Sequence, residues 1–250
     1  MKLPHALLAL SLTFTLSALA DDKPSTDGFV SVFNGKDLTG WHVSAKSGHS
    51  RTSGNKTGGD WKVVDGAING SQDLPGNGGL IMTDEVYGDF EVVLEMKNDF
   101  GPDSGLFLRS TEEGKCYQAM IDYHGGGNVM GIYGEGMGGK PHLRNYSFTN
   151  APDTIVLQPE RATMPLSMTP EEWKKFWHHG EWMELRARIT GGDKPTIITW
   201  INGVKIMEWT ETEARLPANN HIALQIHGGG GAKPGEVVRY RNIRVKTLDK

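Results

Sequence analysis

Thr196-Ile197-Ile198-Thr199-Trp200-Ile201-Asn202-Gly203-Val204-Lys205-Ile206-Met207-Glu208-Trp209 decides the fold class. Two apolar runs flank an Asn-Gly pair, and the tight turn that joins hairpin strands needs positive φ at both central residues. Trp61-Lys62-Val63-Val64-Asp65-Gly66-Ala67-Ile68-Asn69 repeats the pattern with Asp-Gly. Working outward, strand-like runs recur at Phe29 to Phe33, Gly79 to Met82, Phe90 to Lys97 and Gly105 to Arg109. They continue at Tyr117 to Asp122, Val129 to Tyr133, Trp182 to Ile189, Ile222 to His227 and Val237 to Val245. Short spacing with turn residues between is the pattern of an all-β sandwich or barrel. Glycine agrees, at 33 of 250 residues, nearly twice the usual ~7%.

One helix is expected. Thr169 can cap it, Pro170 suits its first position, and Glu172 stands where a capping box wants an acid. Trp173, Phe176 and Trp177 then share one face, which reads as packing. This helix lies within a Gly/Pro-rich insertion from about Gly125 to Gly180. Insertions of that length in a compact domain are usually functional.

Residues 1–20 read as a signal peptide: Lys2, an apolar run from Ala6 to Leu16, then Ser17-Ala18-Leu19-Ala20 as the cleavage site. The run is far short of the ~20 residues of a membrane span. The expectation is an exported protein, periplasmic or extracellular, with residues 21–250 forming one domain that has no membrane partner after cleavage. The net charge is −4, and without clustered bases it argues against a nucleic-acid partner. Cys116 is the single cysteine, so no internal disulfide forms and burial must supply stability. The oligomeric state is left open.

Side chains alternate across a strand, so parity assigns faces. Phe90, Val92, Leu94 and Met96 oppose Glu91, Val93, Glu95 and Lys97. Leu106 and Leu108 oppose Gly105, Phe107 and Arg109, while Ile222, Leu224 and Ile226 oppose Ala223, Gln225 and His227. Each strand thus has an oily face and a face mixing acid, base, amide and imidazole with Gly and Phe. Such a face suits sugar hydroxyls and the C–H faces of a pyranose.

Phe33-Asn34-Gly35-Lys36-Asp37-Leu38-Thr39-Gly40-Trp41 resembles the opening signature of the 3-keto-disaccharide hydrolase domain family. Trp61 to Gly66, Tyr87-Gly88-Asp89-Phe90, Asp103 to Arg109, Trp182 to Arg188, Trp200 to Gly203, Leu224 to His227 and Tyr240 to Ile243 follow in order. The resemblance implies a concanavalin A-like jelly roll acting on glycosides whose 3-hydroxyl is oxidised to a ketone. The chain departs from the family pattern at Asp103, where Asn is usual, and at Cys116 to Asp122, where a Glu-containing strand is usual.

A ketone at C3 acidifies the C2 proton, so the bond at C1 can leave by elimination, with water adding later. That chemistry needs a base near C2, a group for the enolate oxygen and an acid for the leaving group. Asp122, His124, Glu135 and His227 are the acid–base candidates, and Arg109 is the candidate enolate stabiliser. Glu95, Lys97, Gln118 and Gln225 are the candidates for holding sugar hydroxyls. Arg109 has an equally good alternative, pairing with a structural acid, and Asp122 can instead cap a turn. A divalent metal could polarise the ketone and the 2-hydroxyl, but no tight His/Cys ligand spacing assigns one. Gly134-Glu135-Gly136-Met137-Gly138-Gly139 fits a dinucleotide-binding pattern in letters only, since Lys140-Pro141-His142 follows where a helix should start. Two functions stay open: an enzyme acting on 3-keto-glycosides, and a non-catalytic carbohydrate-binding module. A retaining glycosidase would need two carboxylates about 5–5.5 Å apart, and the closely spaced acid motif of laminarinase-like enzymes is absent.

Overall fold

The computed structural model describes residues 28–97, 101–122, 126–144, 147–148, 155–156, 169–178, 180–232 and 235–248. The first strands are β1 (Val30–Ser31), β2 (Trp41–Ser44), β3 (Asp60–Val64), β4 (Ala67–Ser71), β5 (Gly79–Tyr87) and β6 (Phe90–Lys97). Next come β7 (Ser104–Ser110), β8 (Cys116–Ile121), β9 (Val129–Glu135), β10 (His142–Leu143), β11 (Ser147–Phe148) and β12 (Ile155–Val156). Helix α1 (Pro170–Phe176) precedes β13 (Trp182–Thr190), β14 (Thr196–Ile201), β15 (Val204–Thr210), β16 (Asn220–Ile226) and β17 (Val238–Thr247).

Two antiparallel sheets form a jelly-roll sandwich. One runs β15-β14-β13-β6-β17-β4-β3 with β1 added on β17, and the other runs β10-β9-β8-β7-β16-β5-β2. The hairpins form where the turn residues demand them: Asp65 and Gly66 have φ of 52° and 76°, Asn202 and Gly203 46° and 80°. Alternation fills the space between sheets. Phe90, Val92, Leu94 and Met96 meet Leu106, Leu108, Tyr117, Ala119, Ile222 and Leu224 in one core.

The helix begins where its capping box predicts. The Thr169 side chain accepts from the Glu172 N–H and the Glu172 carboxylate accepts from the Thr169 N–H. Trp173 and Trp177 are buried in the main core, with rings stacked 5.2 Å apart. Gly134 and Glu135 end β9 and Gly136 to Gly139 lie in the β9–β10 turn, with Gly136, Gly138 and Gly139 at positive φ. Among the described residues no helix is long and apolar enough to cross a membrane; residues 1–20 lie outside them.

The outer face of the seven-stranded sheet carries the site. Leu80, Met82, Phe107, Cys116 and Ala223 make a second apolar cluster there. A 3-10 turn, Gly48–Ser53, lies on this cluster: Ser50 Oγ donates to the Gly78 carbonyl and Gly78 N donates to the His49 carbonyl.

Candidate active site

Strand parity delivers four groups to one cleft. Asp103 precedes β7, Asp122 follows β8, Glu135 ends β9 and His227 follows β16, each on the side opposite its core-facing neighbour. Antiparallel pairing of Ser104 with Ile121 sets Asp103 beside Asp122. The His227 N–H donates to the Asp103 carbonyl at 3.0 Å, which brings the two side chains to 4.0 Å, His227 Nε2 to Asp103 Oδ2. Two adjoining hollows share His227, Gly228 and Gly229. One, of about 400 Å³, is lined by Asp103, Asp122 and the Gly228–Gly231 run. The other, of about 310 Å³, is lined by His49, Arg51, Thr52 and Glu135.

His49 is a site residue that strand reading does not reach. Its ring lies 4.8 Å from that of His227, and its Nε2 lies 3.6 Å from Glu135 Oε1. The buried Gln225 amide nitrogen is 2.7 Å from the same Nε2. Gly228 must be glycine to pass this ring, because a Cβ there would sit 2.6 Å from the His49 carbonyl oxygen. Gln72 fixes the glycine-rich loop from below, donating to the carbonyls of His227 and Gly229 at 2.8 and 3.1 Å. Arg51 stands on the rim, exposed, and its guanidinium makes no hydrogen bond or ion pair with the described residues.

The titration of these groups is displaced in opposite senses. Burial, then the Asp122 and Glu135 charges, pushes the Asp103 carboxyl well above the ordinary carboxylate range. Burial and the neighbouring His49 lower His227 below the usual imidazole value, against the pull of Glu135 and Asp122. For Glu135 burial acts upward, but His49 and His227 beside it outweigh burial, and the carboxyl sits below its usual value. The cleft therefore favours a neutral imidazole next to a protonated acid, with a carboxylate facing both rings.

Other expected site residues fall elsewhere. Arg109 is 1% exposed and donates to the Gly88 carbonyl at 3.0 Å, to the Gly192 carbonyl and to Asp89 Oδ1 at 2.8 Å. Its backbone is left-handed at φ 55°, across from the register shift at His221/Ala223, so the alternation that would aim it at the cleft is broken. Arg109 is a structural guanidinium, not a group of the cleft. Glu95 and Lys97 belong to β6, in the other sheet, and face outward on the far side of the sandwich. Glu95 accepts from Arg241 Nε at 2.7 Å, and Arg241 lies over the Trp182 ring at 4.0 Å. Gln118 and Gln225 share the cleft's sheet face but are buried in its floor. His124 lies outside the described residues. Among the described residues no three of His, Cys, Asp and Glu are arranged to hold a metal ion.

Residues 28–246 match the family model described as the 3-keto-alpha-glucoside-1,2-lyase-like domain. The chain belongs to this family. A relative from Bacteroides thetaiotaomicron named 3-keto-disaccharide hydrolase is 24% identical, the alignment covering 89% of this chain and 79% of the relative. A carbohydrate-binding module from Bacillus subtilis shares the sandwich, with TM-score 0.53 at 12% identity over 84% of this chain and 97% of the module. That likeness concerns fold alone.

Proposed function

We infer that the chain cleaves glycosides carrying a ketone at C3, by elimination across C1–C2 with water added afterwards. The observation that carries this reading is the His227–Asp103 pair, 4.0 Å apart and open to one cleft, with the imidazole shifted toward its neutral form and the carboxyl toward its protonated form. Neutral His227 takes the C2 proton. The electrons of that C–H bond form the C2=C3 double bond, and the ketone oxygen becomes an enolate oxygen. Arg51 is the cation available to that oxygen. The enolate then re-forms the C3 ketone and expels the C1 oxygen, which receives a proton from Asp103. Water attacks C1 of the resulting 2-hydroxy-3-keto-glycal and C2 is reprotonated, giving the free 3-keto sugar. Glu135, facing both imidazoles, stabilises the imidazolium that forms on His227.

Family membership supports a saccharide substrate, and the acid–base pair supports catalysis over binding alone. The test is incubation of the purified protein with the 3-keto and unoxidised forms of one disaccharide, with and without chelator, in deuterated water. The expected result is cleavage of the 3-keto form only, with deuterium at C2 of the released sugar. Binding without cleavage, or cleavage of both forms without label, overturns this reading. Chelator-sensitive cleavage would add a metal to it. Export of the protein, read from residues 1–20, is part of the proposal, and N-terminal sequencing of secreted protein should begin at Asp21.

A further inference from the structure

We propose that Gln118 and Gln225 are positioning residues forming a one-way amide relay that fixes the tautomer of His49: Nε2 without a proton and Nδ1 with one. This inference rests on the cleavage reading for its kinetic consequence, but not for the tautomer itself. Both amides are buried, Gln225 completely. Gln118 Nε2 donates to the Ser104 carbonyl at 3.2 Å and to Gln225 Oε1 at 3.1 Å.

A backbone carbonyl only accepts, so Gln118 must turn its NH2 toward Ser104. That NH2 also meets Gln225, which must answer with its oxygen. The Gln225 NH2 is then left facing His49 Nε2 at 2.7 Å. An amide NH2 only donates, so Nε2 must supply a lone pair. Turning Gln225 over would set NH2 against NH2 in the buried sheet floor. The second ring nitrogen, Nδ1, accepts from the Gly228 N–H at 3.3 Å, so a proton on Nδ1 has to displace that donor. That contact is longer and yields to the relay.

The groups facing His49 are Glu135, His227, Gln225 and the Gly228 amide. A proton on Nε2 would let His49, 3.6 Å away, share in lowering Glu135, and the relay opposes that contact. The Glu135 carboxylate is thus left to the imidazolium forming on His227. The Ser104 anchor is itself held, since Ser104 Oγ donates to the Gln225 carbonyl at 2.5 Å and meets Tyr240 Oη at 2.6 Å.

The test is long-range 1H–15N correlation on the full chain labelled at histidine, near neutral pH, with His49→Asn identifying the His49 signals. Wild type should show an unprotonated Nε2 and a protonated Nδ1. Gln118→Met, which removes the anchor at similar volume, should give a mixture of tautomers. Gln225→Glu should move the proton to Nε2, because a carboxylate only accepts. In Gln118→Met, kcat on the 3-keto-disaccharide should fall roughly tenfold with KM nearly unchanged, a part of what general acid–base catalysis contributes, and the pH–rate profile should shift. A proton on Nε2 in wild type overturns the relay, as does an unchanged tautomer in a Gln118→Met protein that melts normally. Should either variant fail to fold, the wild-type spectrum alone still decides. If wild type has the expected tautomer but turns over no 3-keto sugar, the cleavage reading fails and the relay stands.

Discussion

His227 and Asp103 face each other at 4.0 Å and titrate away from their ordinary values in opposite directions, the imidazole down and the carboxyl up. Each shift begins with burial, which disfavours whichever form is charged. One physical cause thus readies a base and an acid in the same cleft, although His227 keeps 48% and Asp103 32% of its side-chain surface.

That pairing predicts the first mutational result. His227→Ala removes the base and should lower kcat about 10²–10⁴-fold. Its neighbours Gly228–Gly231 are not core, so thermal melting should stay within a few degrees of wild type. Retention of full rate by a folded His227→Ala protein would remove His227 from the reaction.

Asp103→Asn separates activity from stability. A carboxyl whose folded value is raised destabilises the fold once pH exceeds its unfolded value of ~3.9, and the penalty grows until pH passes the folded value. Asn carries no such penalty. The melting temperature of Asp103→Asn should therefore match wild type near pH 3.5 and exceed it by roughly 2–4 °C at pH 8, about 1 kcal/mol for a domain of this size. Turnover should fall at the same time, because Asn cannot donate the leaving-group proton. Melting curves across pH, set beside rates, check both halves.

Arg51 should take the role that strand parity suggests for Arg109. Arg109→Met leaves the Gly88 and Gly192 carbonyls without this donor and takes the guanidinium from Asp89, and should cost about 3 kcal/mol or more of stability. Arg51→Ala breaks no hydrogen bond or ion pair with the described residues and should melt like wild type while losing roughly 10²-fold in kcat/KM. Urea unfolding of both, with kinetics on whichever folds, decides between them.

These contrasts show what the residues of the chain made legible. Alternation along 222–227 sends Gln225 and His227 to the outer face because that end of β16 pairs regularly with β5. The same rule misplaces Arg109, since one left-handed residue opposite a bulge ends the period of two. Glu95 and Lys97 fail for another reason: parity says which way a strand faces, not which of two stacked sheets holds it. His49 is not legible by alternation because it lies on no strand. It reaches the cleft from a 3-10 turn, through a contact with Gln225 that spans 176 positions. Asp103 was visible as a departure from the family pattern, and its significance emerges only with Asp122 and Glu135 around it.

The last prediction concerns a cluster far from this chemistry. His42 on β2 sits between two acids, Nδ1 at 2.7 Å from Asp84 and Nε2 at 3.0 Å from Glu112, with the His221 ring 5.5 Å away and Lys46 on Glu112 at 3.7 Å. Burial lowers His42, but hydrogen bonds to both carboxylates outweigh burial and raise it above the usual imidazole value. A raised histidine contributes stability below its unfolded value of ~6.5 and loses that contribution as pH climbs through the folded value. The protonated ring ties β2 to β5 and to the β7–β8 turn. His42→Gln should accordingly melt below wild type at pH 5.5, and the gap should close by about pH 8.5. The difference should be only about 1–2 °C, and smaller in 0.5 M salt, because the groups are partly exposed and their charges screened. A gap that is constant from pH 5.5 to 8.5 would mean that His42 contributes packing rather than charge.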